Sequence, residues 1–401
     1  MQRADVVVVG GGPAGSATAI TLARAGRRVL LVDKATFPRD KCCGDGLTAG
    51  ALRRLEALGL DPARVASWHP VDDVVVRSPS GREATFPLPR GQGQYAVVAR
   101  RRDLDAALLD VARAAGVEVL EGHALRGAEL QPARVLLDVE GLGPVQARYA
   151  VGADGMWSPL RRFVSGADGY RGDWHAFRQY VKQVSPRAGR ELAVWFDDDL
   201  LPGYAWSFPL PDGHANVGYC VPRTGAWTGA QLSRTWADLL ERAYIREFLG
   251  PRAVAEAPHR AWPIPSSIDR ATASAGRVLF VGDAVAAADP MTGEGIGQAL
   301  QTGVLAAEAL VVAGPDDPTA AAARYEGAVH RELLADHRMS AALSSLLSGP
   351  RAARGAVRLA GASAWTRHEF GRWLFEDEPR AAAVTPRRWH RHFLARSGAY
   401  A

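Results

Sequence analysis

Two short stretches of this chain carry residues whose types and spacing could do chemistry. One is Gly10-Gly11-Gly12-Pro13-Ala14-Gly15, answered further along by an acidic residue, Asp33. The other is Cys42-Cys43-Gly44-Asp45-Gly46, a pair of thiols beside a carboxyl that sits between glycines. A glycine-rich turn lets main-chain N–H groups come up against phosphates. A thiol or a carboxyl on a tight loop can hold a proton and give it up. With Cys220 the chain has three cysteines, too few for a disulfide framework. A vicinal Cys42–Cys43 disulfide would be strained. Metal-ligand sets at close spacing are missing, so no metal site is expected.

The first stretch needs a strand before it and a helix after it, and the sequence supplies both. Asp5 to Val9 is short, β-branched and apolar, as a buried parallel strand should be. An alanine-rich helix is expected from Ala14 to about Arg24, closed by Gly26. A second strand, Arg28 to Val32, ends at Asp33, where a carboxylate can reach a ribose hydroxyl. Gly10 permits the turn, Gly12 lets the backbone approach a pyrophosphate, and Gly15 lets helix and strand pack closely. The unit therefore reads as a dinucleotide site, with the helix N-terminus facing the phosphates.

Two later stretches decide between NAD and FAD. Val278 to Leu300, "VLFVGDAVAAADPMTGEGIGQAL", reads as a strand, Gly282-Asp283, a loop from Asp289 to Gly295, and a helix from Ile296. An Asp at a strand end can hold a polyol hydroxyl, and glycines let a flat ring lie on backbone. Ala147 to Arg162, "ARYAVGADGMWSPLRR", reads as a strand, Ala-Asp-Gly, then Ser158, Pro159 and Arg161. Together the three motifs resemble the flavoprotein family built on the p-hydroxybenzoate hydroxylase fold. The resemblance implies FAD, with Gly10, Gly12, Pro13, Ala14, Gly15, Asp33 and Lys34 around its ADP half. It implies Arg101, from Arg101-Arg102-Asp103-Leu104, together with Leu125 and Asp154, and Gly282 and Asp283 at the ribitol. Cys43, Gly44, Pro290, Gly293, Gly295, Ile296 and Gly297 would lie along the isoalloxazine.

The stretch "PRDKCCGDGLT" resembles the geranylgeranyl reductase branch of that family, with Cys43 at the branch's cysteine and Cys42 a variable neighbour. Gly44 and Gly46 would let the loop cross close to the ring. A second marker, Pro202-Gly203-Tyr204-Ala205-Trp206-Ser207-Phe208-Pro209, matches the prenyl reductases' aromatic string, and "AWPIPSS", Ala261 to Ser267, is also typical of the branch. Alternation puts Tyr204, Trp206 and Phe208 on one strand face, a wall for an apolar substrate. Thr48-Ala49-Gly50 departs from the branch's usual continuation. That departure leaves room for a specialised substrate.

The implied reaction is hydrogenation of isolated C=C bonds in a prenyl substrate, a geranylgeranyl or menaquinone side chain. NAD(P)H would act as a transient reductant, because no second Rossmann unit is evident. An electron-rich double bond needs an acid as well as a hydride, and the acid must face the flavin across a dry pocket. Cys43, Asp45, Tyr204, His214, Tyr219 and water held by them are the candidates. Cys43, Asp45, Tyr204 and Trp206 are the residues expected at the reacting centre, although Asp45 could simply bond loop N–H groups. An FAD-dependent monooxygenase or dehydrogenase of an aromatic, polyketide or terpenoid metabolite stays open. Halogenation fits less well: Gly44-Asp45-Gly46 replaces that group's Gly-Glu-Ser, and no lysine lies between Lys41 and Lys182.

The expected fold class is α/β: a Rossmann-like FAD-binding domain with an inserted antiparallel-sheet substrate domain and a helical C-terminal region. The FAD domain should be discontinuous, taking residues 1–69, 100–164 and 269–337. The substrate domain should take 70–99 and 165–268, where six of the eleven tryptophans lie. Residues 339–401 read as helices broken at Gly349-Pro350. Net charge is +5, without a nucleic-acid-binding signature. Thr385 to Tyr400 is basic, with Trp389 and Phe393 alternating with Arg and His. A solvated terminus and a peripheral contact at the inner face of the membrane both suit it. No membrane-spanning run, signal region or nucleic-acid partner is expected, so the protein should be cytoplasmic, a monomer or homodimer.

Overall fold

The computed structural model describes residues 2–166, 172–223, 227–389 and 396–401. The first strand, Gln2–Val9, lies between Gly143–Gly152 and Val29–Asp33, parallel to both. Glu118–Glu121 extends the sheet beyond Val29–Asp33, and Val278–Phe280 extends it beyond the C-terminal half of Gly143–Gly152. Parallel strands are buried on both faces, which is why Val6 to Val9 and Val29 to Val32 are apolar at every position. The first helix, Pro13–Arg24, starts with proline where its missing N–H costs nothing, and Gly26 at φ +74° turns the chain out of it.

Helix Ile296–Ala313 packs along Pro13–Arg24. A Cβ on Gly303 would lie 2.4 Å from the Ala14 carbonyl oxygen, so the two backbones touch. Among the described residues this is the helix long and apolar enough to cross a membrane, and most of its apolar residues pack into the core, Val312 near its end being exposed.

The second sheet runs in the order Val254–Ala255, Trp174–Lys182, His214–Pro222, Tyr204–Leu210, Leu192–Trp195, Asp73–Arg77, Glu83–Pro87. Arg260–Ile264 pairs with the first part of Trp174–Lys182. The sheet is antiparallel except that Leu192–Trp195 runs parallel to Asp73–Arg77. One face is covered by helices Gly229–Glu241 and Ala243–Leu249, over Phe177, Trp195, Tyr219 and Trp236. The other face carries Trp174, Ala176, Tyr204, Trp206, Phe208 and Ile264. The tryptophans of this region thus divide between two cores, as the period of a strand requires.

A small sheet joins the two large ones. Gly46–Thr48 pairs with Ala96–Val98, which also pairs with His69–Pro70. Helices Pro318–Glu332, Leu334–Leu346, Pro350–Ala360 and Ala364–Leu374 follow, with Pro350 opening the third. The chain then returns to the body: Tyr400 sets its ring edge-on against Trp68, with centroids 5.6 Å apart. Trp389 is half exposed, with its indole N–H given to the Ala382 carbonyl. Phe393, its partner in the basic stretch, lies outside the described residues.

Candidate active site

A single cavity of about 1220 Å³ runs from the glycine-rich turn, between the two sheets, to the C-terminal helices. Gly10, Gly12, Pro13, Ala14, Asp33, Lys34, Arg101, Leu125, Asp154, Gly282 and Asp283 line its nucleotide end. Cys43, Gly44, Asp45, Tyr204, Trp206, Gly293, Gly295 and Ile296 line its middle. Three residues expected at the cofactor do not reach the wall. Gly15 is a packing position, since a Cβ there would fall 1.8 Å from the Gly10 oxygen. Pro290 is buried in the loop. Gly297 lies behind the wall, its N–H taken by the Glu294 carboxyl at 2.8 Å.

The nucleotide end fits FAD. Gly10 has φ +108°, and a Cβ on it would lie 2.3 Å from the Ala153 oxygen. A Cβ on Gly12 would meet only the guanidinium tips of Arg39 and Arg101, so the turn leaves room for a ligand. Asp33 accepts from the Gly11 N–H at 2.6 Å, which fixes its carboxylate at the turn. Arg101 is fixed by Asp105 through two bonds of 2.7 and 2.8 Å, and Arg39 joins the same carboxylate. One carboxylate oxygen of Asp154 is buried without a hydrogen-bond partner within the protein, so it can accept from a bound group. Lys41 lies 3.9 Å from Asp283 and over the Trp262 ring; burial lowers its pKa although Asp283 opposes this.

The middle is built from two loops and an aromatic strand. Cys43 faces the cavity, while Cys42 donates to the Arg260 carbonyl; both thiols are free. Burial pushes the Cys43 thiol up to about 11, which leaves it protonated and a weak acid. Asp45 is buried and accepts from the Tyr180 hydroxyl at 2.7 Å, the Asn216 amide at 2.7 Å and the Arg101 N–H at 3.3 Å. Burial raises it to about 6, against the pull of Arg178 and these donors. Arg178 stacks on Tyr180 and pairs with Asp40 at 2.9 Å. Asp45 thus takes the first N–H of helix Arg101–Ala114 and two side chains from the second sheet, rather than the N–H groups of its own loop.

Tyr204, Trp206 and Phe208 do share one face, with successive centroids 5.9 and 6.0 Å apart. Trp206 lies over Gly218 on the next strand, where a Cβ would fall 2.3 Å from its ring. Its indole N–H reaches Asn216, which also donates to the Cys43 carbonyl at 2.8 Å. Tyr204 gives its hydroxyl to the Thr292 carbonyl and so ties the strand to the 289–295 loop. Gly44 and Gly46 make space chiefly for Phe208: a Cβ on Gly46 would lie 3.2 Å from that ring. Sequence reasoning expected the flavin there.

Two candidate acids are elsewhere. Tyr219 points to the opposite face of its sheet, bonding the Leu232 carbonyl and stacking on Phe177 and Trp236. His214 sits at a strand end against the Pro211 carbonyl and Glu256. One carboxyl was missed. Glu294 lines the cavity, and burial together with the charge of Glu376 raises its pKa well above the carboxylate range. The signal was present: Gly293-Glu294-Gly295 repeats the pattern of Gly44-Asp45-Gly46. Asn216, Tyr180 and Arg178 were missed too, being ordinary strand residues in the sequence.

Beyond the aromatic strand the walls are mostly apolar: Val76, Leu192, Val194 and Phe196 from the second sheet, and Val357, Phe370 and Leu374 from the C-terminal helices, which also bring Ser344, Thr366 and Glu369. Leu346, Leu359 and Trp365 form the far rim.

Residues 3–315 match the family described as FAD binding domain. Menaquinone reductase of Mycobacterium tuberculosis is 36% identical over 338 residues, which cover 77% of this chain and 77% of that protein. A digeranylgeranylglycerophospholipid reductase of Methanothrix thermoacetophila is 29% identical over 320 residues, again 77% of each chain. Among solved structures, a geranylgeranyl bacteriochlorophyll reductase-like protein from Thermoplasma acidophilum has a TM-score of 0.82 at 20% identity. That match covers 97% of this chain and 100% of the other.

Proposed function

This chain belongs to the FAD-binding-domain family and is an FAD-dependent oxidoreductase like the menaquinone and geranylgeranyl reductases, and we propose that its reaction is hydrogenation of isolated C=C bonds in a prenyl chain. The observation that carries this reading is the far half of the cavity, an apolar passage leading from the Tyr204–Trp206 wall to the rim at Leu346, Leu359 and Trp365. A long hydrocarbon gains from every apolar surface it covers there, at about 25 cal/mol per Å². A substrate with polar groups along its length would leave them unpaired.

Bound FAD, once reduced by a transient NAD(P)H, supplies the hydride. The chain's own residues do the rest. Gly10, Gly12, Asp33, Arg101 and Asp154 would hold the cofactor. Trp206, fixed by Asn216, and Tyr204, fixed by the Thr292 carbonyl, wall the reacting double bond. The apolar passage excludes water and so protects positive charge that develops on carbon.

Anaerobic reoxidation tests this. Reduced protein mixed with geranylgeranyl diphosphate, or with a menaquinone in detergent, should reoxidise without oxygen, and the product should gain one H₂ per double bond. Flavin that stays reduced with every prenyl acceptor until air is admitted would overturn the reading.

The same reading brings the protein to the cytoplasmic surface of a membrane through the rim. Leu346, Leu359 and Trp365 are 65%, 72% and 70% exposed, large values for such side chains. Between His337 and His368 the sequence has five arginines and no Asp or Glu. This charge pattern suits anionic headgroups. Sedimentation with anionic vesicles checks it: wild type should pellet, and L359D/W365D should remain in solution.

A further inference from the structure

Glu294 lies where two cavities approach each other, with Ala288 lining both. On one side is the cofactor cavity, whose wall it forms. On the other is a second cavity of about 640 Å³, lined by Glu376, Gln298, Gly297, Arg380 and His337. That cavity reaches the surface at Ala57, Glu332 and Arg396, which are exposed. Two consecutive residues at the start of helix Ile296–Ala313 join the sides. The Gly297 N–H donates to Glu294 at 2.8 Å, and the Gln298 amide donates to Glu376 at 3.0 Å. Gly297 has no side chain to close the gap, and a Cβ there would sit 3.5 Å from the Glu294 carboxyl oxygen.

Glu376 is held in place. Thr48 donates to it at 3.0 Å, Arg380 approaches at 3.4 Å, and its own backbone is left-handed at φ +54°. A non-glycine residue in that region carries strain that the surrounding structure must hold. Arg380 is almost wholly buried, yet its Nη1 has no partner, and neither has the Gln298 carbonyl oxygen. Polar atoms of this kind on a cavity wall call for water.

Resting on the reading of the reaction as C=C hydrogenation, we propose that Glu294 gives substrate carbon the proton the reaction consumes, and regains it through Glu376 from water in the second cavity. The balance is complete. Bound reduced FAD would supply the hydride for one carbon and would be left oxidised. The Glu294 O–H breaks and its proton forms the second C–H bond on the other carbon. The Glu294 carboxylate is then reprotonated by way of Glu376, which takes a proton from water.

The neighbours of Glu294 favour its acid form. Asp289 on its own loop and Glu376 on the C-terminal segment repel a second negative charge. Arg380 faces Asp289 at 3.4 Å and attenuates this. Cys43 from the opposite loop and Tyr204 from the aromatic strand face it as neutral groups, both raised by burial. Asp45, ringed by donors, ionises at lower pH than Glu294 and so is the carboxyl less able to keep a proton near neutrality.

Infrared spectra of the protein recorded across pH test the assignment without any substrate. Wild type should show the C=O stretch of a protonated carboxyl persisting into the neutral range. E294Q should lose it, E294D should restore it, and E376Q should shift its midpoint to lower pH. In single turnover E294Q should be slower by ~10²-fold or more, with partial recovery in E294D. E376Q should slow the steady state more than the first turnover, because only reloading is impaired; a merely structural role would slow both alike. A folded E294Q that keeps the band overturns the proposal whether or not any prenyl acceptor has been found. So does a first turnover in E294Q within about threefold of wild type. Failure of every prenyl acceptor with the wild-type band lost in E294Q would instead overturn the reaction assigned to the acid.

Discussion

Two loops present a carboxyl between glycines to the same cavity, and they treat it differently. In Gly44-Asp45-Gly46 the acid is ringed by donors: a phenol, an amide and a main-chain N–H. In Gly293-Glu294-Gly295 it meets the N–H groups of a helix start and the charges of Asp289 and Glu376. Both are buried. Burial alone would raise both, but donors offset it in the first case and like charges add to it in the second. The lesson is that neighbours from distant parts of the chain decide which of two similar acids keeps its proton.

Asn216→Ala should break the comparison most severely. It removes the partner of Asp45, of the Cys43 carbonyl and of the Trp206 indole together. A loss of about 4 kcal/mol in urea unfolding is expected, along with weaker substrate binding as Trp206 is released. The pH dependence of stability sharpens it next. Asp45 has a raised pKa when folded, so its contribution is fully present below its ordinary value and is lost as pH climbs through about 6. Between roughly pH 4 and roughly pH 7 this group should remove about 3 kcal/mol, a slope absent from Asp45→Asn; an unchanged slope in that variant would contradict the assignment. Tyr180→Phe leaves Asp45 with one donor fewer. It should lower stability by about 2 kcal/mol and shift the Asp45 step to higher pH, moving Asp45 toward the behaviour of Glu294. The smallest effect is expected of Gly46→Ala. Its Cβ presses on Phe208, so a loss of roughly 1 kcal/mol should come with weaker binding of a prenyl substrate and little change in FAD affinity, read by flavin fluorescence.

The nucleotide end was legible because its chemistry is made by main chain. A turn at φ +108°, a close backbone approach and an acidic residue at the end of the next strand leave local signatures at Gly10, Gly12 and Asp33. The aromatic face of Tyr204, Trp206 and Phe208 was legible too, because a strand's alternation fixes it. Which side of its sheet each aromatic serves was not. Tyr219 pairs with Ala205 in register and faces away from the cavity, although the sequence offered it as an acid beside Tyr204. Asn216 drew no notice because one strand cannot show that its amide meets a loop near residue 45. Gly46 was matched to the right loop, but the ring it makes space for belongs to Phe208.

The sequence by itself determined the β-α-β nucleotide unit, the FAD family and the placing of Cys43, Asp45 and Tyr204 on one cavity, because each rests on local backbone geometry or on a motif read in order. Only the tertiary structure decided that Asp45 is pinned by Tyr180 and Asn216, that the C-terminal helices wall the apolar passage, and that Glu376 lies behind Glu294. Those facts depend on contacts between residues far apart in the chain, and the proton affinity of a buried group is set by the sum of such contacts rather than by its neighbours in sequence.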